Sequence, residues 1–188
     1  WGEAYGVIAD VFISIEKDMY DKAEDMEGGW RTFKAFTVAD KVIESDVITS
    51  FYLKPVDGNK LPGYLPGQYI SVRVNVPGEE YTLNRQYSLS QAAADDVYRI
   101  SVKREDECDP FGKVSTHLHR NVNVGDEIEV SVPAGDFHLD TDNAAPVTLI
   151  SGGVGITPMM SMYETIAGIS PERPVAFLHS ARTRAHQA

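Results

Sequence analysis

A glycine-rich run at residues 151–158, with the sequence SGGVGITP, follows an apolar segment and precedes a helical pattern. Glycines allow a backbone to approach a bound group closely, and the N–H groups that begin a helix attract phosphate. Pro158 suits the first turn of that helix. The run has neither the G-x-G-x-x-G spacing nor the Gly-Lys-Ser/Thr of a P-loop. A turn that only packs a helix against a strand is therefore an equally good interpretation.

A second segment with binding chemistry is Arg85-Gln86-Tyr87-Ser88, which we place at the head of a strand. An arginine can hold a phosphate through two parallel hydrogen bonds. A neighbouring tyrosine offers a flat face for stacking, and a serine hydroxyl can reach a ring nitrogen. These are the requirements of a flavin or another aromatic nucleotide. The alternative is a surface arginine and a core tyrosine on an ordinary strand.

The start of a short predicted helix, Gly112-Lys-Val114-Ser115, is a third candidate for binding phosphate, although it is weak alone. The pair His117 and His119 has two histidines in close sequence. At this spacing on a helix the side chains diverge, so we interpret both as structural and predict no metal site.

Composition excludes several classes of protein. The 188 residues contain 17 Lys+Arg and 28 Asp+Glu, a formal net charge of −11, which argues against a nucleic-acid partner. The single cysteine, Cys108, excludes a disulfide framework and fits a reducing compartment. No apolar run approaches the roughly 18 residues of a membrane span. We expect a cytoplasmic protein; its oligomeric state is not predicted.

Two kinds of element must position these motifs. Alternating β-branched and aromatic residues with turn signals between them predict an antiparallel barrel or sandwich, with strands at 33–38, 48–53, 69–76, 98–102 and 127–132 and one helix at 114–120. A strand at 147–150, the glycine run, a helix at 159–167 and a strand at 175–178 predict the opening of a parallel βαβ unit.

The chain begins with an amphipathic helix that we expect to stop near Gly28-Gly29. Its apolar residues lie on one face: Trp1, Ala4, Tyr5, Ile8, Val11, Phe12, Ile15 and Met19. Such a stripe needs partners, and nothing downstream supplies another long helix of that kind. We therefore expect the chain to be a fragment, cut at both ends.

In combination, the motifs resemble one family. The order of Pro-Gly-Gln-Tyr69, Arg85-Gln-Tyr-Ser88, Gly-x-Val-Ser115 and Gly-Val-Gly-x-Thr-Pro158 is similar to the ferredoxin-reductase-like flavoproteins. In these proteins an antiparallel barrel holds FAD, and a following α/β domain holds NAD(P)H. The N-terminal helix resembles the last globin helix of bacterial flavohaemoglobins, as do Gly28-Gly29-Trp30 and residues 48–51 and 55–58.

The resemblance implies a role for each matching residue. Arg85 would hold the FAD diphosphate, Tyr87 would pack on the isoalloxazine, and Ser88 would lie near its N5. The residues matched to FAD binding are Tyr69, Arg85, Gln86, Tyr87, Ser88, Gly112, Val114 and Ser115. Those matched to the NAD(P)H-binding loop are Gly153, Val154, Gly155, Ile156, Thr157 and Pro158.

Glu16 lies at the edge of the apolar stripe, where a solvated side chain would be the ordinary interpretation. The resemblance instead implies a catalytic carboxylate that acts with an axial histidine and a tyrosine. All five histidines lie beyond this helix: His117, His119, His138, His179 and His186. The axial ligand is thus not in the chain, and haem b is expected only in the full-length protein.

The resemblance implies a multi-domain architecture. Residues 1–29 would be the last helix of a truncated globin domain, 30–143 the FAD-binding barrel, and 144–188 the start of an NAD(P)H-binding domain. The implied function is nitric oxide dioxygenase, with NAD(P)H, O2 and nitric oxide as small-molecule partners. Two alternatives stay open: a stand-alone flavin-dependent NAD(P)H:acceptor reductase, and a non-catalytic nucleotide-binding redox module.

Overall fold

The computed structural model describes residues 1–107 and 109–183, apart from the Glu3 side chain. Cys108 and His186 lie outside the described residues. In chain order the helices and strands are α1 (Gly2–Asp25), β1 (Phe33–Ile43), β2 (Ile48–Pro55), β3 (Tyr69–Val74), β4 (Leu83–Ser88), β5 (Tyr98–Lys103), α2 (Lys113–Asn121), β6 (Glu127–Ser131), β7 (Val147–Gly152), α3 (Ile156–Ile169) and β8 (Val175–Ser180).

The first six strands form one antiparallel sheet in the order β4-β3-β6-β1-β2-β5. A bridge between Leu89, just after β4, and Ile100 of β5 joins the two edges of this sheet. The sheet therefore curls into an antiparallel barrel, one of the two architectures that the strand pattern allows and the one that the family resemblance implies. Closure leaves few unpaired edge groups, which are a liability in an open sheet.

Alternation of buried and partly exposed residues decides which face of each strand lines the core. In β5, Tyr98, Ile100 and Val102 are fully buried, whereas the intervening residues are partly exposed. Side chains alternate across a strand, so one face packs inward and the other is free for other contacts. Val114 and Leu118 of α2 complete the same core.

A second, smaller unit follows the barrel. Strands β7 and β8 pair in parallel, with α3 as the crossover, which confirms the predicted βαβ opening. A separate apolar cluster of Leu139, Leu149, Met162 and Ile166 holds α3 on this two-stranded sheet. Gly153–Gly155 form one 3₁₀ turn between β7 and α3. The glycine run thus connects a strand to a helix, as its sequence indicates.

Strand β4 is missing from the five strand ranges that the sequence predicts. Residues Leu83–Ser88 form β4 and pair along their length with β3. Arg85-Gln86-Tyr87-Ser88 therefore ends a strand and does not stand at the head of one, so that prediction is wrong. The reason is that β4 contains mostly polar residues, three of them exposed in succession, so it gives no apolar alternation to detect.

Helix α1 ends at Asp25, three residues before Gly28. Its stripe residues Trp1, Tyr5, Ile8, Val11, Phe12, Ile15 and Met19 are each more than half exposed. Contact with the rest of the described chain occurs near the C-terminal end, where Arg31 pairs with Asp21 and Glu24 at 3.0 and 3.2 Å. Among the described residues, no helix is both long and apolar enough to cross a membrane.

Candidate functional site

A cavity of about 470 Å³ lies where the barrel, α2 and the glycine run meet. Eleven of the predicted binding residues line it: Arg85, Gln86, Tyr87, Ser88, Gly112, Val114, Ser115, Val154, Gly155, Thr157 and Pro158. These residues are far apart in the chain, and the fold brings all three motifs to one cleft. A volume of this size is typical of a small-molecule or cofactor pocket.

Arg85 is exposed at this cavity, and its Nη1 donates to the backbone carbonyl of Asn84 at 2.7 Å. In the part of the chain that the structure describes, no carboxylate forms a salt bridge with Arg85. Its remaining N–H groups are thus free to bind an anionic ligand. The neighbouring Tyr87 is half-buried, and burial raises the pKa of its hydroxyl to about 12. Tyr87 is therefore a neutral aromatic surface at physiological pH.

The N-terminus of α2 supplies donors from the opposite side. The first intrahelical bond runs from the Thr116 amide to the Gly112 carbonyl, so the amides of residues 113–115 precede it. A Cβ atom at residue 112 would lie 2.7 Å from the Ser115 hydroxyl and 2.9 Å from the Glu105 Cβ. Glycine at 112 therefore allows residue 105 to close against the helix start.

The Ser115 hydroxyl is committed within the protein. It accepts from the Glu105 amide and donates to the Gly112 carbonyl, each at 3.2 Å. These bonds join the loop after β5 to the start of α2. Ser115 therefore contributes to the cavity chiefly through its backbone amide and by holding this turn in place.

The opposite end of α2 is capped by Lys41 of β1. Its Nζ donates to the carbonyl oxygens of Leu118, His119 and Val122 at 3.2, 2.8 and 2.7 Å. A cation there satisfies the last carbonyls of the helix and complements its dipole. Burial lowers the pKa of Lys41. The lysine thus fixes α2 on the barrel, and with it the amides that face the cavity.

His119 provides a further anchor for α2. Its Nε2 lies 2.7 Å from the Val102 carbonyl oxygen, and its Nδ1 lies 3.3 Å from the Thr49 hydroxyl. A neutral ring with its hydrogen on Nε2 satisfies both contacts, since Nδ1 then accepts from Thr49. Burial lowers the pKa of His119, which favours this neutral form. The structural interpretation of His119 therefore agrees with its contacts.

This arrangement predicts a pH-dependent stability. The folded-state pKa of His119 lies below the unfolded value, so the unfolded chain binds more protons between the two pKa values. The neutral His119 ring therefore contributes its full stabilisation of the folded chain above about pH 6.5. This contribution is lost as the pH falls from the unfolded-state pKa through the lower folded-state pKa. We expect the free energy of unfolding, measured with urea, to fall less between pH 7.5 and pH 5 in His119→Gln than in the wild type.

His117 serves as the internal control for that comparison. Burial also lowers its pKa, so it contributes a loss of stability in the same direction. His117 is unchanged in His119→Gln, and the difference between the two proteins isolates the ring of His119. Equal losses of stability in both proteins would contradict the assignment.

The start of α3 offers fewer amide donors than the sequence predicts. The Ile156 amide already donates to the carbonyls of Gly153 and Val154, and Pro158 has no N–H. Two of the first three helical positions are thereby unavailable to a ligand. Gly153 has a φ of +52°, which favours glycine and forms the tight turn. Thr157 is buried, and its hydroxyl donates to the Val154 carbonyl at 3.0 Å.

A second cavity of about 490 Å³ adjoins the first. The two share Lys103, Glu105 and Val154, and the second also contains Gly153, Arg104 and Arg182. The Lys103 ammonium and the Glu105 carboxylate form a 2.6 Å ion pair between them. The cleft therefore continues from the flavin-type motifs past the glycine run, and side chains of both charges line this part of it.

Three of the predicted cofactor-binding residues lie outside the first cavity. Gly153 lines the second cavity, Ile156 lines a 180 Å³ cavity beside α3, and Tyr69 lines a 410 Å³ groove below α1. Tyr69 pairs with Ser88 across β3 and β4, and its ring packs against Gly135, where a Cβ atom would lie 2.9 Å from the ring. Tyr69 is thus adjacent to the flavin-type motif through the sheet.

Glu16 is exposed on α1 and lines none of these cavities. Its Oε1 accepts a hydrogen bond from the Tyr20 hydroxyl at 2.7 Å, one helical turn later. This hydrogen bond is the leading cause of a raised pKa at Tyr20. Glu16 therefore has a tyrosine partner within the chain.

Sequence reasoning missed Ser101 and Lys103, which also line the first cavity. Both lie on β5, on the face opposite its buried residues, and Arg99 shares that face. The signal was present as polar residues at every second position of a predicted strand. Such alternation usually indicates a solvated face, so it does not by itself indicate a site.

A sequence model described as the oxidoreductase FAD-binding domain matches residues 35–139, more than half of the chain. The chain belongs to this family. The match covers the barrel and α2, which supply the Arg85 segment and the start of α2 at the cavity. The predicted oxidoreductase barrel is thereby confirmed.

Several curated proteins that are similar to this chain are named flavohemoprotein. One from Bacillus thuringiensis subsp. konkukian is 60% identical over 182 residues, which cover 96% of this chain and 45% of the relative. One from Bacillus subtilis is 52% identical over the whole chain, which is 46% of that relative. The chain thus spans about half the length of the curated relatives it matches.

Solved structures agree with this placement. The flavohem-like FAD/NAD binding domain of nitric oxide dioxygenase from Vibrio cholerae superposes with a TM-score of 0.81 at 43% identity, covering 84% of this chain and 66% of that one. These comparisons confirm the resemblance to flavohaemoglobins and the ferredoxin-reductase-like fold.

Proposed function

We propose that this chain binds FAD and accepts electrons from NAD(P)H as the reductase portion of a flavohaemoglobin-type nitric oxide dioxygenase. The observation that carries the proposal is the single cleft in which the Arg85 segment, the start of α2 and the glycine run meet. Three motifs that are far apart in sequence line one cavity. A glycine turn that only packed a helix against a strand would not need the other two motifs beside it.

The residues of the cleft fit the parts of FAD. Arg85 and the amides of residues 113–115 would hold the diphosphate, because they are donors without a carboxylate partner among the described residues. Tyr87, neutral and half-buried, would support the isoalloxazine face, and the Ser88 hydroxyl would face the ring edge near N5. Tyr69 and Gln86 would extend this surface toward the groove below α1.

The nicotinamide cofactor belongs to the other side of the cleft. We assign Gly153, Val154, Gly155, Ile156, Thr157 and Pro158 to its binding loop. Gly153, the first residue of this loop, has a positive φ, and glycine allows the backbone to approach a bound nucleotide closely. Both properties support this role. Bound FAD would supply the redox chemistry, taking a hydride from nicotinamide and releasing electrons singly, while these residues orient the two rings.

For the natural protein that carries this chain, we propose conversion of nitric oxide and dioxygen to nitrate, with cytoplasmic NAD(P)H as reductant. A flavohemoglobin from Malassezia yamatoensis, whose structure has bound FAD and haem, superposes with a TM-score of 0.79 at 26% identity, and 99% of this chain corresponds to 46% of that one. Residues 1–29 would be the last globin helix, 30–143 the FAD barrel and 144–188 the beginning of the NAD(P)H domain.

Helix α1 has no histidine, and the described residues contain no cluster of His, Cys, Asp and Glu that could hold a metal ion. Glu16, with its Tyr20 partner, is proposed to act on haem chemistry only through residues outside this chain. A stand-alone reductase and a non-catalytic redox module are the competing functions.

One set of measurements separates these functions. The natural protein that carries this sequence should be purified with FAD, show oxidised-flavin absorption, and lose that absorption when NADH or NADPH is added without oxygen. In air, NAD(P)H consumption should rise when nitric oxide is added. Flavin reduction without any response to nitric oxide would favour a stand-alone reductase. Flavin that no pyridine nucleotide reduces would favour a redox module, and a protein that binds no flavin would contradict the proposal.

A further inference from the structure

One ion pair connects the outer face of the barrel to helix α3. The Nη2 atom of Arg99 on β5 lies 2.9 Å from Oε1 of Glu164 on α3. The other carboxylate oxygen of Glu164 accepts the amide of Ala92, in the loop after β4, also at 2.9 Å. A single side chain from the second unit is thus bonded to two segments of the barrel.

Arg99 is itself held in a fixed orientation. Its Nε donates to the Ser90 hydroxyl oxygen at 3.1 Å, and its Nη2 also donates to the Ser90 carbonyl. The Ser90 amide donates back to the Arg99 carbonyl at 2.9 Å. Ser90 is 2% exposed, so these bonds are shielded from water. Shielding strengthens them and makes the geometry of the guanidinium well defined.

The same network reaches the cofactor cavity. The Ser90 hydroxyl lies 2.9 Å from the Ser101 hydroxyl, and Ser101 lines the cavity together with Ser88. On α3, Thr157 precedes Glu164 by seven residues, which is about two helical turns on the same face. Thr157 lines the cavity from the other side. The Arg99–Glu164 pair therefore links the two walls of the cleft.

We infer that Arg99 and Glu164 are a positioning pair that sets the separation between the flavin segment, residues 85–88, and the glycine run. The inference rests on the proposed function. Neither residue touches the reacting atoms in this role. Hydride transfer requires the nicotinamide and flavin rings to be close together and aligned. A small displacement of α3 along the barrel would therefore slow hydride transfer, and the Arg99–Glu164 ion pair prevents that displacement. Binding of each cofactor alone depends on one wall of the cleft and changes little.

The test is Glu164→Gln in the natural protein that carries this sequence. Glutamine retains the shape and an acceptor for the Ala92 amide, but it removes the charge that holds Arg99. We expect the rate constant of flavin reduction at saturating NADH or NADPH, measured anaerobically by stopped flow, to fall at least 10-fold. The dissociation constants of FAD and of the nucleotide should change less than twofold. Glu172→Gln, an exposed glutamate after α3, is the matched control and should match the wild type.

A role limited to stability would leave the reduction rate of the flavin-loaded protein unchanged, and that result would overturn the inference. Arg99→Lys is the second variant, because lysine keeps the charge but replaces the separate Nε and Nη2 donors of Arg99 with a single ammonium group. It should also slow reduction. If the wild type binds flavin but is not reduced, the proposed function and this inference both fail. If the wild type is reduced and both variants keep its rate, only the inference fails.

Discussion

Replacing Arg85 with alanine is expected to weaken FAD binding by about 1–3 kcal/mol, or about 5- to 150-fold in the dissociation constant. The guanidinium lies exposed at the cavity with one backbone bond, to Asn84, and no salt bridge within the described chain. A diphosphate would therefore lose a charge-assisted partner that no other arginine at this cavity replaces. Fluorescence titration of the apoprotein with FAD measures the change.

Arg120→Ala is the matched control for that experiment. Arg120 is an exposed arginine that pairs with Asp106 at 2.8 Å and does not line the cavity. Arg120→Ala removes one positive charge, as Arg85→Ala does. Any effect of net charge on the affinity for FAD is therefore the same in both variants. If Arg85→Ala binds FAD as tightly as Arg120→Ala does, the diphosphate assignment is wrong.

Replacing Gly67 with alanine is expected to destabilise the protein by roughly 2–4 kcal/mol. Gly67 has a φ of +111°, which strains a residue with a side chain. A Cβ atom there would lie 2.5 Å from the Phe137 carbonyl oxygen and 2.6 Å from the Met162 methyl carbon. The backbone at 137 cannot move freely, because the next segment is tied to the barrel by a 2.9 Å bond from the Leu139 amide to the Pro66 carbonyl.

Gly63→Ala is the matched control, because Gly63 lies in the same loop between β2 and β3 as Gly67. The measurement is the urea midpoint of unfolding of the two variants. A Cβ atom at residue 63 would meet no atom within 4 Å, and the φ of Gly63 is not positive. Gly63→Ala should therefore unfold close to the wild-type urea concentration. Equal midpoints for the two variants would show that the junction at Gly67 tolerates a side chain.

The barrel could be predicted because its strands carry local signals. Strands such as β3 and β5 alternate apolar and polar residues, and glycines at turns such as Gly58 and Gly125 adopt the positive φ that those turns require. Strand β4 could not be predicted, since its residues are polar and its partner β3 is known only from the fold. The order of the strands likewise depends on pairings between segments far apart in sequence.

The candidate site was predictable in its motifs but not in its connections. Arg85, Val114 and Thr157 belong to recognisable short patterns, and the fold places all three at one cavity. Lys41 and Glu164, in contrast, act through backbone groups that only the folded chain brings within reach. No residue type or spacing indicates that a lysine on β1 caps a helix more than seventy residues later. Such contacts are set by tertiary structure alone.

The position of β1 in the sheet has a consequence for how the chain folds. Phe33 at the start of β1 pairs with Ser131 at the end of β6, so the first strand of the barrel needs its last strand as a neighbour. At ribosomal rates this partner emerges roughly 5–20 s later. Meanwhile β1, β2 and β5 can pair with one another, and β3 can pair with β4, but β6 is needed between these two groups. The barrel is therefore completed late and as a unit, and the cleft forms only after the chain has passed β6.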